Sequence, residues 1–322
     1  MITLTLEDRS HPILGNLIID TPPGTPPEMV QAHIAPTKLR LAAQSYWHHI
    51  PEIHPETTIL GFQLMGEHLH GIIQVLRKMN ISLGNIIAGF KGACTNKYHE
   101  LYPNAKQIPL FSPGYQDRIL FDYGRLPNVL HYLEDNPRRC AIKRLYPNLF
   151  KLIRRIPFDG GHFIGIGNHF LLNAPILYQV QASRNISTAE FEAKRQEMLM
   201  SITNGAVIVS PCISQGERLL AKHAFEASAP LITLKNKGFS PYFKPSGAFF
   251  DACANGRLLM LAPGLWPFVP GKKVMTRNDA CILNALCQRI CGTSAATINY
   301  HGLVPVELEL LTDKAIGKNS SP

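Results

Sequence analysis

The stretch Phe62-Gln63-Leu64-Met65-Gly66-Glu67-His68-Leu69-His70-Gly71-Ile72-Ile73-Gln74-Val75 decides how the rest of the chain reads. Its second half is rich in β-branched residues and alternates weakly, which predicts a strand carrying His68 and His70, two apart, on one face. Two neutral imidazoles on a rigid strand offer lone pairs in the same direction, and so suit a metal. Alone, such a triplet is more often an accident or a hydrogen-bonded strand surface.

Working outward, Thr57 to Leu64 reads as a second strand joined to the first through Gly66-Glu67, and Ser82 caps a helix bearing Leu83, Ile86, Ile87, Phe90 and Lys91. Ile2 to Leu6 alternates as a strand, and Pro22-Pro23-Gly24-Thr25-Pro26-Pro27 is a stiff loop that cannot be helical. Between Thr37 and His49 the residues Leu39, Leu41, Ala42, Tyr46 and Trp47 recur at helical spacing, with Pro51 closing the run. A short strand around Arg118 to Phe121 precedes a last helix. The order of strand, helix, strand, strand, helix, strand, helix matches an α+β, ferredoxin-like split βαβ unit with one added helix.

In that last helix, Tyr132 and Asn136 are four apart and are expected to share a face. One reading packs the Tyr132 ring on the sheet and uses Asn136 as a cap before Pro137. In the other, a metal held by His68, His70 and the Asn136 oxygen polarises a phosphate while Tyr132 acts as nucleophile. Nitrogen and oxygen donors together suit Mn²⁺ at least as well as Mg²⁺.

At 322 residues, with 45% hydrophobic and 17% charged residues, the chain is expected to fold as two domains. Its net charge of +9 favours an anionic partner. Seven cysteines without a C-x-x-C spacing indicate neither a disulfide framework nor a zinc ribbon. The N-terminal residues show no basic, then apolar, leader pattern, and no apolar run is long enough to span a membrane, so a cytoplasmic protein is expected. Between Asn136 and Phe158 no acidic residue occurs, while Arg138, Arg139, Lys143, Arg144, Lys151, Arg154 and Arg155 form a dense basic run. Such a run is either a solvated face or a phosphate contact. Tyr146, Phe150 and Phe158 beside it would stack bases or anchor a core.

From Leu4 to about Arg144 the chain resembles the HUH single-tyrosine transposases, in particular their REP-associated branch. The resemblance is carried in order by Asp8-Arg9-Ser10-His11-Pro12-Ile13-Leu14-Gly15, His68-Leu69-His70, Ser82-Leu83-Gly84 leading to Gly89-Phe90-Lys91, Gly114-Tyr115-Gln116-Asp117-Arg118, and Tyr132-Leu133-Glu134-Asp135-Asn136-Pro137. It implies His68, His70 and Asn136 as ligands of Mg²⁺ or Mn²⁺, and Tyr132 as the nucleophile that becomes linked to the 5′ side of cut single-stranded or hairpin DNA. It also implies a homodimer. Lys91, Arg118, Arg138, Arg139, Lys143, Arg144, Arg154 and Arg155 are the expected DNA contacts. Many relatives have Pro-Asn where this chain has Gly66-Glu67.

After Gly160-Gly161, short apolar strands at Ile176 to Ala182, Ala206 to Ser210, Pro230 to Leu234 and Leu258 to Ala262 alternate with helices at Thr188 to Asn204, Glu217 to Ser228 and Ala248 to Ala254. This is the pattern of a parallel α/β sheet. Gln181-Ala182-Ser183-Arg184, Gly205 to Ser210 leading to Ser214-Gln215-Gly216-Glu217, and Arg277-Asn278 resemble the Rossmann-like fold of the DNA-processing protein A family. That family's fuller glycine-rich phosphate loop is missing, and no cofactor-binding residue is expected here. Ser214 opens its helix either as an anion site or as a plain cap. The expected domains are residues 1–155, residues 156–305 and a flexible tail at residues 306–322. The expected activity is metal-dependent single-stranded DNA cleavage and strand transfer. The alternatives are a non-catalytic DNA-binding accessory protein and a metal-dependent hydrolase that uses water.

Overall fold

Strand β1 (Ile2–Thr5) runs antiparallel to the histidine strand, placing Thr3 opposite His70 and Thr5 opposite His68. A hairpin follows, β2 (Gly15–Ile19) with β3 (Ala32–Pro36), then helices α1 (Lys38–His48) and α2 (Ile50–Ile53). Strands β4 (Thr57–Leu64) and β5 (His68–Val75) form a second hairpin, and α3 (Leu83–Leu101) and the two-residue strand β6 (Gln116–Asp117) come next. The four strands lie in the order β4-β5-β1-β6, each antiparallel to its neighbours. Helices α4 (Leu126–Glu134) and α5 (Asn136–Leu145) complete this part.

This computed structural model describes residues 1–105, 108–121, 123–159, 161–271 and 274–292. The chain divides into two compact units, Met1–Leu145 and Tyr146–Pro322.

One face of the first sheet is its core. Ile2, Leu4, Leu69 and Ile73 pack there against Leu39, Ala43 and Trp47 of α1 and Ile86, Ile87 and Phe90 of α3. Trp47 is fully buried, stacked on Phe62 at 5.1 Å and edge-on to Phe90 at 5.0 Å. The two helices begin where side chains satisfy open backbone amides: Thr37 accepts from the Arg40 amide and Ser82 from the Asn85 amide.

Several local expectations are corrected. Helix α1 stops at His48, and Pro51 sits in the first turn of α2, where its missing N–H costs nothing. The strand expected at Arg118 to Phe121 is Gln116–Asp117, because β1 offers pairing partners only as far as Ile2, with the Arg118 amide bonded to the Met1 carbonyl. The helix expected to carry both Tyr132 and Asn136 is two helices. Pro137 cannot donate to the Leu133 carbonyl, so α4 ends at Glu134 and α5 starts afresh.

The second unit is built on a six-stranded sheet in the order β7-β8-β12-β11-β10-β9. Its elements are β7 (Ile153–Phe158), β8 (Gly161–Gly167), β9 (Leu177–Gln179), α6 (Thr188–Thr203), β10 (Val207–Ser210), α7 (Gln215–Glu226), β11 (Leu231–Leu234), α8 (Ala248–Ala254), β12 (Leu258–Pro263) and α9 (Arg277–Ile290). Strands β9 to β12 are mutually parallel, and β8 joins β12 antiparallel. Val207, Val209, Ile232, Leu234, Leu259 and Leu261 meet Leu283, Leu286 and Cys287 of α9 on one face. Helices α7 and α8 lie against the same strands, which explains why β10 and β12 are buried along their whole length. The boundary expected after Arg155 falls inside β7, whose antiparallel pairing with β8 places it in this unit. The expected tail at residues 306–322, and the domain's last stretch from 293, lie outside the described residues.

Candidate metal and tyrosine site

Alternation along β5 sends Leu69 and Gly71 into the core and His68, His70 and Ile72 to the opposite face. Helix α4 roofs that face. A side chain on Gly61, which pairs with Ile72, would lie 2.7 Å from Leu130 Cδ2 and 3.4 Å from Leu133 Cδ1, so a glycine there lets the helix sit down on the sheet. The imidazoles of His68 and His70 lie 4.9 Å apart between centroids, and the Tyr132 ring is 6.3 Å from His70. Three of the residues singled out in the sequence thus share one small region.

Each imidazole has its Nδ1 engaged. His68 Nδ1 is 3.2 Å from Glu67 Oε1, and His70 Nδ1 is 2.9 Å from Thr3 Oγ1. With Nδ1–H donating, Nε2 of each ring carries the lone pair, the usual arrangement behind a metal-binding histidine. Both rings favour the neutral form. Burial lowers the His68 pKa against the pull of Glu67, and burial followed by the neighbouring His68 takes His70 down to about 4.

Asn136 is the first residue of α5, with Cys140 and Lys143 at helical spacing behind it. Lys143 acts electrostatically on His68, and Glu67 on Cys140. The Asn136 side chain is buried, and its Nδ2 position has no hydrogen-bond partner. A buried carboxamide left unsatisfied at that position fits an oxygen ligand in the flipped orientation. Among the described residues no three His, Cys, Asp or Glu side chains form a ligand set, so a cation at His68 and His70 requires a third donor of another type. Two imidazoles and an amide oxygen suit Mn²⁺ better than Mg²⁺.

Asp135, at the break between α4 and α5, anchors the roof. It accepts from Arg138 at 2.5 and 2.9 Å and from Arg139 at 2.7 Å. Burial raises its pKa, but the two guanidinium groups together outweigh that and hold the carboxyl below its ordinary value. The Arg139 guanidinium lies 5.5 Å from the Tyr132 ring centroid and is itself buried. Glu67, Thr3 and Asp135 were not singled out as site residues from the sequence. Thr3 in particular becomes visible only through strand pairing across 67 positions.

The expected DNA contacts separate into different settings. Lys91 donates to the carbonyls of Ser112 and Gly114 and so ties down that turn. Arg118 lies exposed at the β6 edge. Arg138 and Arg139 are engaged with Asp135, whereas Lys143 and Arg144 lie in the last turn of α5. Arg154 and Arg155 are exposed on β7, in the second unit. The basic run is therefore divided between a helix and a strand of different units. Phe150 is buried and stacked on Phe250 at 4.5 Å, and Phe158 packs on Phe163 at 5.1 Å, so both are core residues of the second unit.

In that unit the N-terminus of α7 is filled from within. The buried Glu217 carboxylate accepts from the amides of Ile213 at 2.8 Å, Ser214 at 3.1 Å and Ala182 at 3.3 Å, while Ser214 caps in return. Ser214 and Glu217 thus form a capping box at the start of α7.

No family model matches the chain. A curated relative, an uncharacterized protein of Haemophilus influenzae, is 25% identical over 120 residues, covering 31% of this chain and 65% of that protein. The chain thus spans just under two thirds of that relative's length. Two solved structures are similar at a TM-score of 0.33. One is the DNA processing protein A of Helicobacter pylori, described for its single-stranded DNA binding mode, at 16% identity over 44% of this chain and 66% of that one. The other is DNA processing protein A of Streptococcus pneumoniae, at 17% identity over 61% and 68%. Likeness at that level carries no argument, and the architecture above rests on the chain's own strand order. Among the described residues no helix is long and apolar enough to cross a membrane.

Proposed function

We propose that the first unit cuts and rejoins single-stranded DNA, with Tyr132 as nucleophile and His68, His70 and Asn136 holding Mn²⁺ or Mg²⁺. The observation that carries this reading is the gathering of two neutral imidazoles, each backed at Nδ1, with the Tyr132 ring 6.3 Å from His70. The all-antiparallel β4-β5-β1-β6 order, with α1 and α3 as the crossings, supports the reading as a ferredoxin-like unit of the kind that the HUH resemblance implies. In the cut, Tyr132 Oη bonds to phosphorus, the bond to the 3′ oxygen breaks, and that oxygen leaves with a proton as a 3′ hydroxyl. The 5′ side stays on the tyrosine as a phosphodiester, so a second 3′ hydroxyl can reverse the step without ATP. A divalent cation, when bound, polarises the phosphate oxygens and steadies the departing oxygen. Thr3 and Glu67 orient the imidazoles, and the Arg139 guanidinium lies over the tyrosine ring.

Incubating the full chain with 3′-labelled single-stranded DNA and Mn²⁺, followed by a denaturing gel, is the test. A protein-linked label that disappears with Tyr132→Phe is expected. Turnover without an adduct would instead favour the hydrolase that uses water. The second reading, a DNA-binding protein without catalysis, draws on the net charge of +9 and on a tyrosine face already engaged by Arg139. It predicts DNA binding with neither product nor adduct. A homodimer of such units stays a proposal from the resemblance.

A further inference from the structure

A cavity of about 430 Å³ opens at the far end of β5, walled by Leu60, Ile72, Val75, Leu83, Ile119 and Leu126. Its size lies within the range of small-ligand pockets, and apolar walls with few polar groups are typical of them. The polar groups are Gln74, Asp117 and Arg118. A carboxamide, a carboxylate and a guanidinium set in apolar walls suit a flat heteroaromatic ring with a hydrogen-bonding edge. Beside the cavity, Phe121 is 88% exposed and Ile119 is 67% exposed. An aromatic ring so open to water is a stacking surface for a neighbouring base.

The cavity shares a strand and a helix with the candidate site. Gln74 stands on the same strand face as His68 and His70, four residues beyond His70, or about 13 Å along the strand. Leu126 opens α4, the helix that carries Tyr132. One strand and one helix therefore fix the distance from cavity to tyrosine.

We propose that this cavity takes one unpaired base of the bound single strand, read by Gln74, with the adjacent base stacked on Phe121, so that the protein prefers one base at a fixed distance from the cut. The proposal rests on reading the first unit as a single-strand binder. It does not require the cut itself.

The test uses the full chain carrying Tyr132→Phe, which removes cleavage from the readout, to select from a pool of randomised single-stranded DNA. One position enriched for one base is expected. With Gln74→Ala added, that preference should fall by about tenfold, within the range of a lost two-bond base contact. Both side chains are partly or fully exposed, so circular dichroism should show an unchanged fold for Gln74→Ala and for Phe121→Ala. Phe121→Ala should weaken binding by about fivefold or more, from loss of one stacked base. The same preference in the Gln74→Ala protein, or a selected pool with no favoured position, overturns the assignment. A Gln74-dependent position, together with a wild-type chain that forms no adduct, defeats only the nuclease reading. An adduct with no such position defeats only the base pocket.

Discussion

Replacing Gly71 by alanine tests whether the histidine strand is locked against its core. The added methyl would lie 2.6 Å from Cη2 and 2.7 Å from Cε2 of Trp47, and closer still to Cζ2. The indole cannot give way, being fully buried between Phe62 and Phe90. Overpacking of a tight core costs about 1 to 3 kcal/mol, and with a rigid ring on one side and a central strand on the other the upper half of that range applies. At roughly 2 to 4 °C per kcal/mol, the first unit should melt about 5 to 10 °C lower. Gly89→Ala is the control. It lies exposed inside α3 with nothing within 4 Å of the added methyl, so the same chemical change should stabilise by about 0.5 to 1 kcal/mol. The chain has two tryptophans, so in a Trp266→Phe background the fluorescence of Trp47 reports the first unit alone. If Gly71→Ala melts within about 1 °C of its parent, or if both alanines shift melting the same way, the strand is not seated as described.

In the second unit, burial followed by the nearby Lys237 lowers the Lys235 pKa to about 8. The unfolded chain then binds more protons between pH 8 and about 10.5, so stability should rise with pH across that window, and Lys235→Met should remove the slope. Because Phe239 and Phe243 lie 4.6 and 4.0 Å from the ammonium and favour its charge, the gain from Lys235→Met at pH 7 should be only about 1 to 2 kcal/mol, read by urea unfolding at the two pH values. Asp135→Asn removes the charge that two largely buried guanidinium groups share, and should cost about 3 kcal/mol in urea unfolding; a cost under about 0.5 kcal/mol would make the pairing incidental. Mn²⁺ at 100 times its Kd should stabilise the first unit by about 2.7 kcal/mol, and His68→Ala or His70→Ala should abolish that gain while leaving the metal-free melting curve in place. Equal Mn²⁺ stabilisation of wild type and both variants would remove the histidines from the metal site.

What could be read from the sequence was local. Strand β4, helix α8 and the cap Ser82 follow from a β-branched run, helical spacing and a hydroxyl side chain near the amide it serves. The β2–β3 hairpin escaped notice because its two arms are separated by a proline-rich loop, and pairing at that distance leaves little local signal. The break between α4 and α5 was signalled by Pro137 but read as the end of a helix, although the chain resumes helical structure at once. Charge along a sequence says nothing of partners: Asp135 takes two arginines of the basic run, while Arg154 and Arg155 belong to a strand of the other unit. Phosphate binding at Ser214 was left open in the sequence. The structure shows the cap there, with a Glu217 carboxylate that draws on an amide 35 residues away.

The histidine strand explains why stability and chemistry are linked in the first unit. Leu69, Gly71 and Ile73 belong to the packed face, and His68, His70, Ile72 and Gln74 to the other, so a slip of one residue would exchange the two sets completely. Register is fixed from the core side by Trp47 against Gly71, and from the roof side by Leu130 and Leu133 of α4 against Gly61. Because α4 carries Tyr132 and rests on the strand pair that carries the histidines, the packing that holds the register also holds the 6.3 Å separation between His70 and the tyrosine ring. A substitution in the core such as Gly71→Ala, which touches no site residue, should therefore lower adduct formation together with the melting temperature. A variant that lost stability but formed adduct at the full rate would show that the two faces of the sheet act independently.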